Sequence, residues 1–235
     1  MSLEKNLKKL IEKIRNEFRN AAAREDSIKI IRPNHGNGSV YIDERAIIGP
    51  NVMIFPGVFI FGATTILKDC VIWPGSVIID SQIGESCEIK SSWIVGAEIG
   101  KSVIIGPFAN IRPGTTINDG ATVGMAAEIK NSVVGKNSKI PHHCYLGDAV
   151  LGENVNFSAG AITCNYDGKK KHKTFIGDGA FIGSGVEIIA PRIIGKNAYV
   201  AAGSVVTKDV PDNALYVCRG PKKHKIVENW NKNRD

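Results

Sequence analysis

The chain has 235 residues, enough for one large domain or one and a half, and its 43% hydrophobic content is sufficient for a core. It carries 25 Gly and only 7% aromatics, which suits many tight corners around a thin interior. The net charge of +7, with a pI near 9.1, favours anionic partners, and no apolar run approaches a membrane span.

The N-terminal segment, residues 1–25, reads as one amphipathic helix. Leu7, Leu10, Ile11, Ile14 and Phe18 form a single apolar stripe at helical spacing. Glu4, Glu12 and Glu17 interrupt the basic face and argue against a membrane partner; the charged start is not a signal peptide. Residues 26–46 hold Pro33-Asn34-His35-Gly36-Asn37-Gly38 and read as a turn-rich connector.

From Ile48 the chain turns periodic. Aliphatics stand at Ile48, Ile54, Ile60, Ile66, Ile72 and Ile78, every sixth residue. The phase slips by one near Ile83 and again near Ile94, then runs from Ile99 to Ile129. It resumes at Val134 and at Leu151, and after an interruption it returns from Ile176 to Val206. A period of six is neither helical nor a simple strand alternation. It fits a short strand plus a corner, repeated, with each aliphatic stacked on the one a coil away. Three hexapeptides make a coil of about eighteen residues, which predicts roughly eight coils over 47–210. The interruption, loop 163–175, is a polar, Lys-rich excursion between Asn165 and Lys173. The tail, 211–235, is polar and basic. Cys70, Cys87, Cys144, Cys164 and Cys218 are scattered, with no CxxC pair and no Cys/His metal spacing. They point to a reducing, cytoplasmic setting rather than a disulfide framework or a zinc site.

Chemistry concentrates between His142 and Thr174, where paired histidines, the small run Ser158-Ala159-Gly160-Ala161 and the cationic excursion follow one another. Imidazole suits proton transfer near neutral pH. A lone histidine is nevertheless more often structural, and Arg112 and Lys130 taken singly read as surface charge.

Several motifs narrow this reading: Ile111-Arg112-Pro113-Gly114, Glu128-Ile129-Lys130, Tyr145-Leu146-Gly147-Asp148, Ile162-Thr163-Cys164-Asn165-Tyr166-Asp167-Gly168 and Lys171-His172-Lys173-Thr174. Together they resemble the acetyltransferase domain of the bifunctional glucosamine-1-phosphate N-acetyltransferase / N-acetylglucosamine-1-phosphate uridyltransferase family. The resemblance implies a left-handed parallel β-helix, a homotrimer and sites between subunits. It also implies acetyl-CoA as co-substrate, no need of a metal, and a product that serves UDP-N-acetylglucosamine synthesis. By resemblance His142 is the base, the backbone N–H of Ala159 the oxyanion donor, and Asn165 a residue that orients the base. Arg112 and Lys130 match phosphate contacts, and Tyr145 and Asn156 match sugar contacts. Tyr166 lines the site, and Lys171 reaches into the adjacent subunit's pocket. Ala159, Ser184, Ala202 and Arg219 match coenzyme A contacts. His143 stands where the family usually has an aliphatic residue and is expected to lie outside the chemistry.

The family's uridyltransferase domain has no counterpart in the sequence, so uridyl transfer is not expected. Met125-Ala126, Cys144 and Ser158 depart from the family pattern and leave room for another amino sugar, including a nucleotide-linked one. A non-catalytic trimeric scaffold is the competing reading from another class, and retention of His142, Asn156 and Lys171 weighs against it. No aromatic platform or reading motif supports nucleic-acid binding.

Overall fold

The computed structural model describes residues 29–30 and 39–218. The expected helix at 1–25 lies outside the described residues, as does Arg219. Within them the chain is a left-handed parallel β-helix of about ten turns, an exception to the usual right-handed crossover.

Three parallel sheets form the faces of the prism. The first has eleven described strands, from Lys29–Ile30 to Leu215–Tyr216. The second has ten, from Tyr41–Ile42 to Val205–Val206, and the third nine, from Ile47–Ile48 to Arg192–Ile194. Successive coils align at eighteen residues in places, as in Ile105 opposite Val123, and at seventeen in others, as in Ile72 opposite Ile89. The array is longer than the predicted eight coils. Tyr41–Ile42 pairs with Phe59–Phe61 inside the expected connector, and Leu215–Tyr216 pairs with Tyr199–Val200 inside the expected tail. Ile42 stands six residues before Ile48, in phase with the hexads, whereas Leu215–Tyr216 follows Val206 out of phase, beyond the break at Lys208-Asp209-Val210-Pro211.

The periodic aliphatics are the core. Ile54, Ile60, Ile66, Ile72, Ile78, Ile105 and Ile111 are fully buried, and Phe157 is the largest fully buried side chain. The phase slips mark corners one residue short. Asp80, Ser91, Asn131 and Asp148 take left-handed φ values of 40–51° there. After three of them comes a buried serine, Ser81, Ser92 or Ser132, whose hydroxyl accepts the N–H of Ala97, Ala109 or Ala149 one coil on. The hydroxyl thus supplies an acceptor that the shortened backbone lacks. The excursion is narrower than 163–175, because Ile162–Cys164 and Thr174–Ile176 are strands of the second and third sheets.

Candidate active site

Two groups of predicted residues are assembled at opposite ends of the second sheet's strands. The first is a column along the corner between the first and second sheets. Met125 and His142 are Cα partners, and the Gly160 N–H donates to the His142 carbonyl at 3.2 Å. This puts Ala159 one coil beyond His142. The Gly185 N–H donates to the Ala159 carbonyl at 2.9 Å and the Gly203 N–H to the Ser184 carbonyl at 2.8 Å. His142, Ala159, Ser184 and Ala202 therefore stand in file, about 4.8 Å per coil. Ser158 N–H and Gly160 N–H are engaged, but the N–H groups of Ala159, Ser184 and Ala202 donate to nothing among the described residues. The His142 imidazole is exposed and likewise makes no hydrogen bond among the described residues. The Cys144 thiol, buried beneath it, donates to the His142 carbonyl at 2.9 Å; burial pushes that thiol's pKa up.

The second group stands where the second sheet turns into the third. Strand pairing stacks Asn110 on Glu128 and Glu128 on Tyr145, and carries Arg112 directly below Lys130. The outward residues of these strands flank the buried Ile111, Ile129 and Leu146. Arg112 Nη1 meets Glu128 Oε1 at 2.8 Å. Lys130 Nζ lies 3.5 Å from both oxygens of Asp148, which also accept from Asn131 Nδ2 at 2.6 Å and Asn165 Nδ2 at 2.5 Å. Asn165 Nδ2 is 3.5 Å from the Tyr145 hydroxyl. Burial pushes the Asp148 carboxyl up, but Asn131, Asn165 and Lys130 outweigh it and hold it below the usual carboxylate range. Lys171, carried by the excursion, sits against Lys130. That neighbour lowers the pKa of Lys171, and Arg112 adds to the effect. The Lys171 amine and the Asp148 carboxylate in turn keep Lys130 protonated, above the ordinary lysine range.

The excursion is tied down internally. Asp167 caps the N–H groups of Lys169 and Lys170 at 2.8 Å each and meets His172 Nε2 at 2.6 Å. His172 first, then those amides, hold the Asp167 carboxyl far below its ordinary range.

Not every predicted residue joins these groups. Asn165 contacts Asp148 and Tyr145, with no hydrogen bond to His142. Asn156 lies on the first sheet between Lys139 and Phe181 and donates to Ser158 Oγ at 2.6 Å. Tyr166 is exposed and donates to the Gly168 carbonyl at 2.7 Å. Within the single chain Lys171 faces Lys130 of its own coil stack. Asp148, Asn131 and Glu128 are site residues that reading the sequence missed. Asp148 and Glu128 stood inside two of the matched motifs, and Asp148 also at a phase slip, but neither was given a role.

Among the described residues no group of three or more His, Cys, Asp or Glu side chains stands close enough to hold a metal ion, and no helix is long and apolar enough to cross a membrane.

Residues 96–131 and 173–208 match the family described as bacterial transferase hexapeptide (six repeats). The chain is 47% identical over 219 residues to the bifunctional protein GlmU of Caldanaerobacter subterraneus subsp. tengcongensis, covering 93% of this chain and 47% of that protein. It is 46% identical over 188 residues to the bifunctional protein GlmU of Listeria monocytogenes, covering 80% of this chain and 41% of that one. The chain thus spans about half the length of these curated relatives. Among solved structures, the Francisella novicida UDP-N-acetylglucosamine acyltransferase aligns with a TM-score of 0.48 at 20% identity, over 75% of this chain and 64% of that one.

Proposed function

We propose that this protein, a homologue of bifunctional GlmU proteins along about half their length, transfers the acetyl group of acetyl-CoA to an amino-sugar 1-phosphate. Glucosamine 1-phosphate is the acceptor, and N-acetylglucosamine 1-phosphate the product. The observation that carries the reading is the file in which His142 stands one coil below Ala159, whose N–H is unengaged among the described residues. A proton acceptor beside a free donor is what acyl transfer to an amine requires.

His142 takes a proton from the 2-ammonium group, and the freed amine attacks the thioester carbonyl carbon. The N–C bond forms, and the negative charge on oxygen is met by the Ala159 N–H. The C–S bond then breaks, coenzyme A leaves as thiol with the proton returned by His142, and the second proton on the former amine nitrogen passes to solvent to leave the neutral amide. Arg112, Lys130 and Lys171 hold the phosphate, with Arg112 suited to bidentate contact. Ser184 and Ala202 extend the file along which the coenzyme lies. The working form is a cytoplasmic homotrimer.

A second reading keeps the chemistry and changes the acceptor. Met125 is the strand partner of His142, so an apolar side chain flanks the base where a different amino sugar would present its own substituent. A thiol-release assay with acetyl-CoA against a panel of amino-sugar phosphates tests both. Release with glucosamine 1-phosphate supports the first reading, and release only with another amino sugar supports the second. No release with any acceptor leaves the scaffold.

A further inference from the structure

We infer that Asp148 is a positioning residue that locks the excursion 165–173 onto the cationic pocket. The inference rests on the acetyltransferase reading for its kinetic consequence but not for its geometry.

Asp148 is only 5% exposed, yet its carboxylate faces three donor groups from three separate strands or corners. These are Lys130 Nζ on the coil below, Asn131 Nδ2 at the corner below, and Asn165 Nδ2 at the point where the chain leaves the solenoid. Its backbone is engaged as well. The Asp148 N–H donates to the Lys130 carbonyl at 3.0 Å, and its carbonyl accepts the N–H of Thr174 at 3.2 Å. Thr174 is where the chain re-enters the third sheet. One residue therefore pins both ends of the excursion, the departing end through its side chain and the returning end through its backbone. The His172 N–H closes the same base by donating to the Asn165 carbonyl at 2.8 Å.

The excursion carries Lys171 to Lys130, and Lys130 is itself held by Asp148. Bringing a second lysine beside Lys130 disfavours its charged form, so something must fix the loop that delivers it. The buried carboxylate does so from beneath. It offsets the charge of Lys130 and, through Asn165, anchors the backbone that delivers Lys171. It also sets the amide of Asn165 beside the Tyr145 hydroxyl. Asp148 faces donors only, so an amide in its place would aim N–H at N–H.

The test uses the full chain and Asp148→Asn. Trypsin cleavage after Lys169, Lys170, Lys171 or Lys173 should accelerate at least tenfold, with the β-helix core remaining protected. The exchange Asp148→Asn with Asn165→Asp, which restores one carboxylate facing one amide, should recover most of that protection. In the thiol-release assay Asp148→Asn should raise the KM for glucosamine 1-phosphate about tenfold or more and change that for acetyl-CoA less than twofold. Cleavage at the wild-type rate would overturn the inference, as would equal rises in both KM values. If the wild-type chain acetylates no amino sugar, the proposed function fails, and the proteolysis arm still decides the role of Asp148.

Discussion

His142 and His143 are adjacent, and the backbone separates their duties. His142 ends a strand of the first sheet and lies in file with Ala159, whereas His143 occupies the corner itself with φ 46°. His142→Ala is expected to cut kcat by about 10²–10⁴ and to leave coenzyme A affinity nearly unchanged. His143→Ala should cost less than about tenfold, and steady-state kinetics of the two variants compares them directly. The Arg112 guanidinium donates to Glu128 across the surface and is still half open to a ligand. A charge-assisted phosphate contact is worth about 1.5–3 kcal/mol, so Arg112→Ala should raise the KM for the sugar phosphate by at least about tenfold. A matching rise for acetyl-CoA would refute the phosphate role. Asp148 gives a pH dependence. Its carboxyl lies below its ordinary range in the folded chain, so its contribution to stability is full above the unfolded carboxylate value, about 3.9, and is lost as pH falls through the folded one. Asp148→Asn should therefore lose less stability than wild type when thermal melts are compared from pH 5 down to pH 3.

At the scale of the coil, the corners carry the constraint. A Cβ at Gly124 would stand 1.8 Å from the carbonyl oxygen of Pro141, which is backbone and cannot rotate away. Gly124 lies one coil below the strand that ends in His142. Gly124→Ala should force the two coils apart there, at the 1–3 kcal/mol typical of overpacking. For a chain of this size that lowers Tm by roughly 5 °C, at about 2–4 °C per kcal/mol. Calorimetry checks this, and an unchanged Tm would show that the corner can relax. The hexad was legible in the sequence because burial repeats strictly, as Ile105, Ile111, Ile117 and Val123 show. The short corners appeared there only as phase slips. That a buried serine hydroxyl completes each of three of them required the coil above to be in place.

For the whole molecule, the third sheet has an uneven outer face. After an exposed Ile47 at its first coil, its lower coils present Thr65, Gln82, Glu98 and Thr116, and its upper coils Val133, Val150, Phe175 and Ile193 in strand register. Phe175, on the strand that receives the excursion, is 47% exposed, and Ile193, on the strand paired with it, 56%. This stripe is the face on which the proposed trimer is expected to associate. Light scattering at micromolar concentration should return three chains, and Phe175→Glu should shift the population toward monomer with parallel loss of activity. A persistent trimer would place the contact on another face.

The sequence by itself determined the repeat, the core and the residue types of the candidate site. A period of six repeats locally, and each hexad carries its own inward aliphatic, its small corner residue and its outward chemistry. It also carried Arg112, Lys130, Tyr145, Asn165 and Lys171 as matched motifs. Only the tertiary structure decided which of them meet. Residues seventeen or more apart become neighbours solely through coil stacking, and one-residue slips at the corners change that offset. Those slips bring Asp148 over Asn131, Lys130 beneath it and Asn165 against it. Asn156, matched to the sugar by the same resemblance, is left on the first sheet because its hexad faces that way.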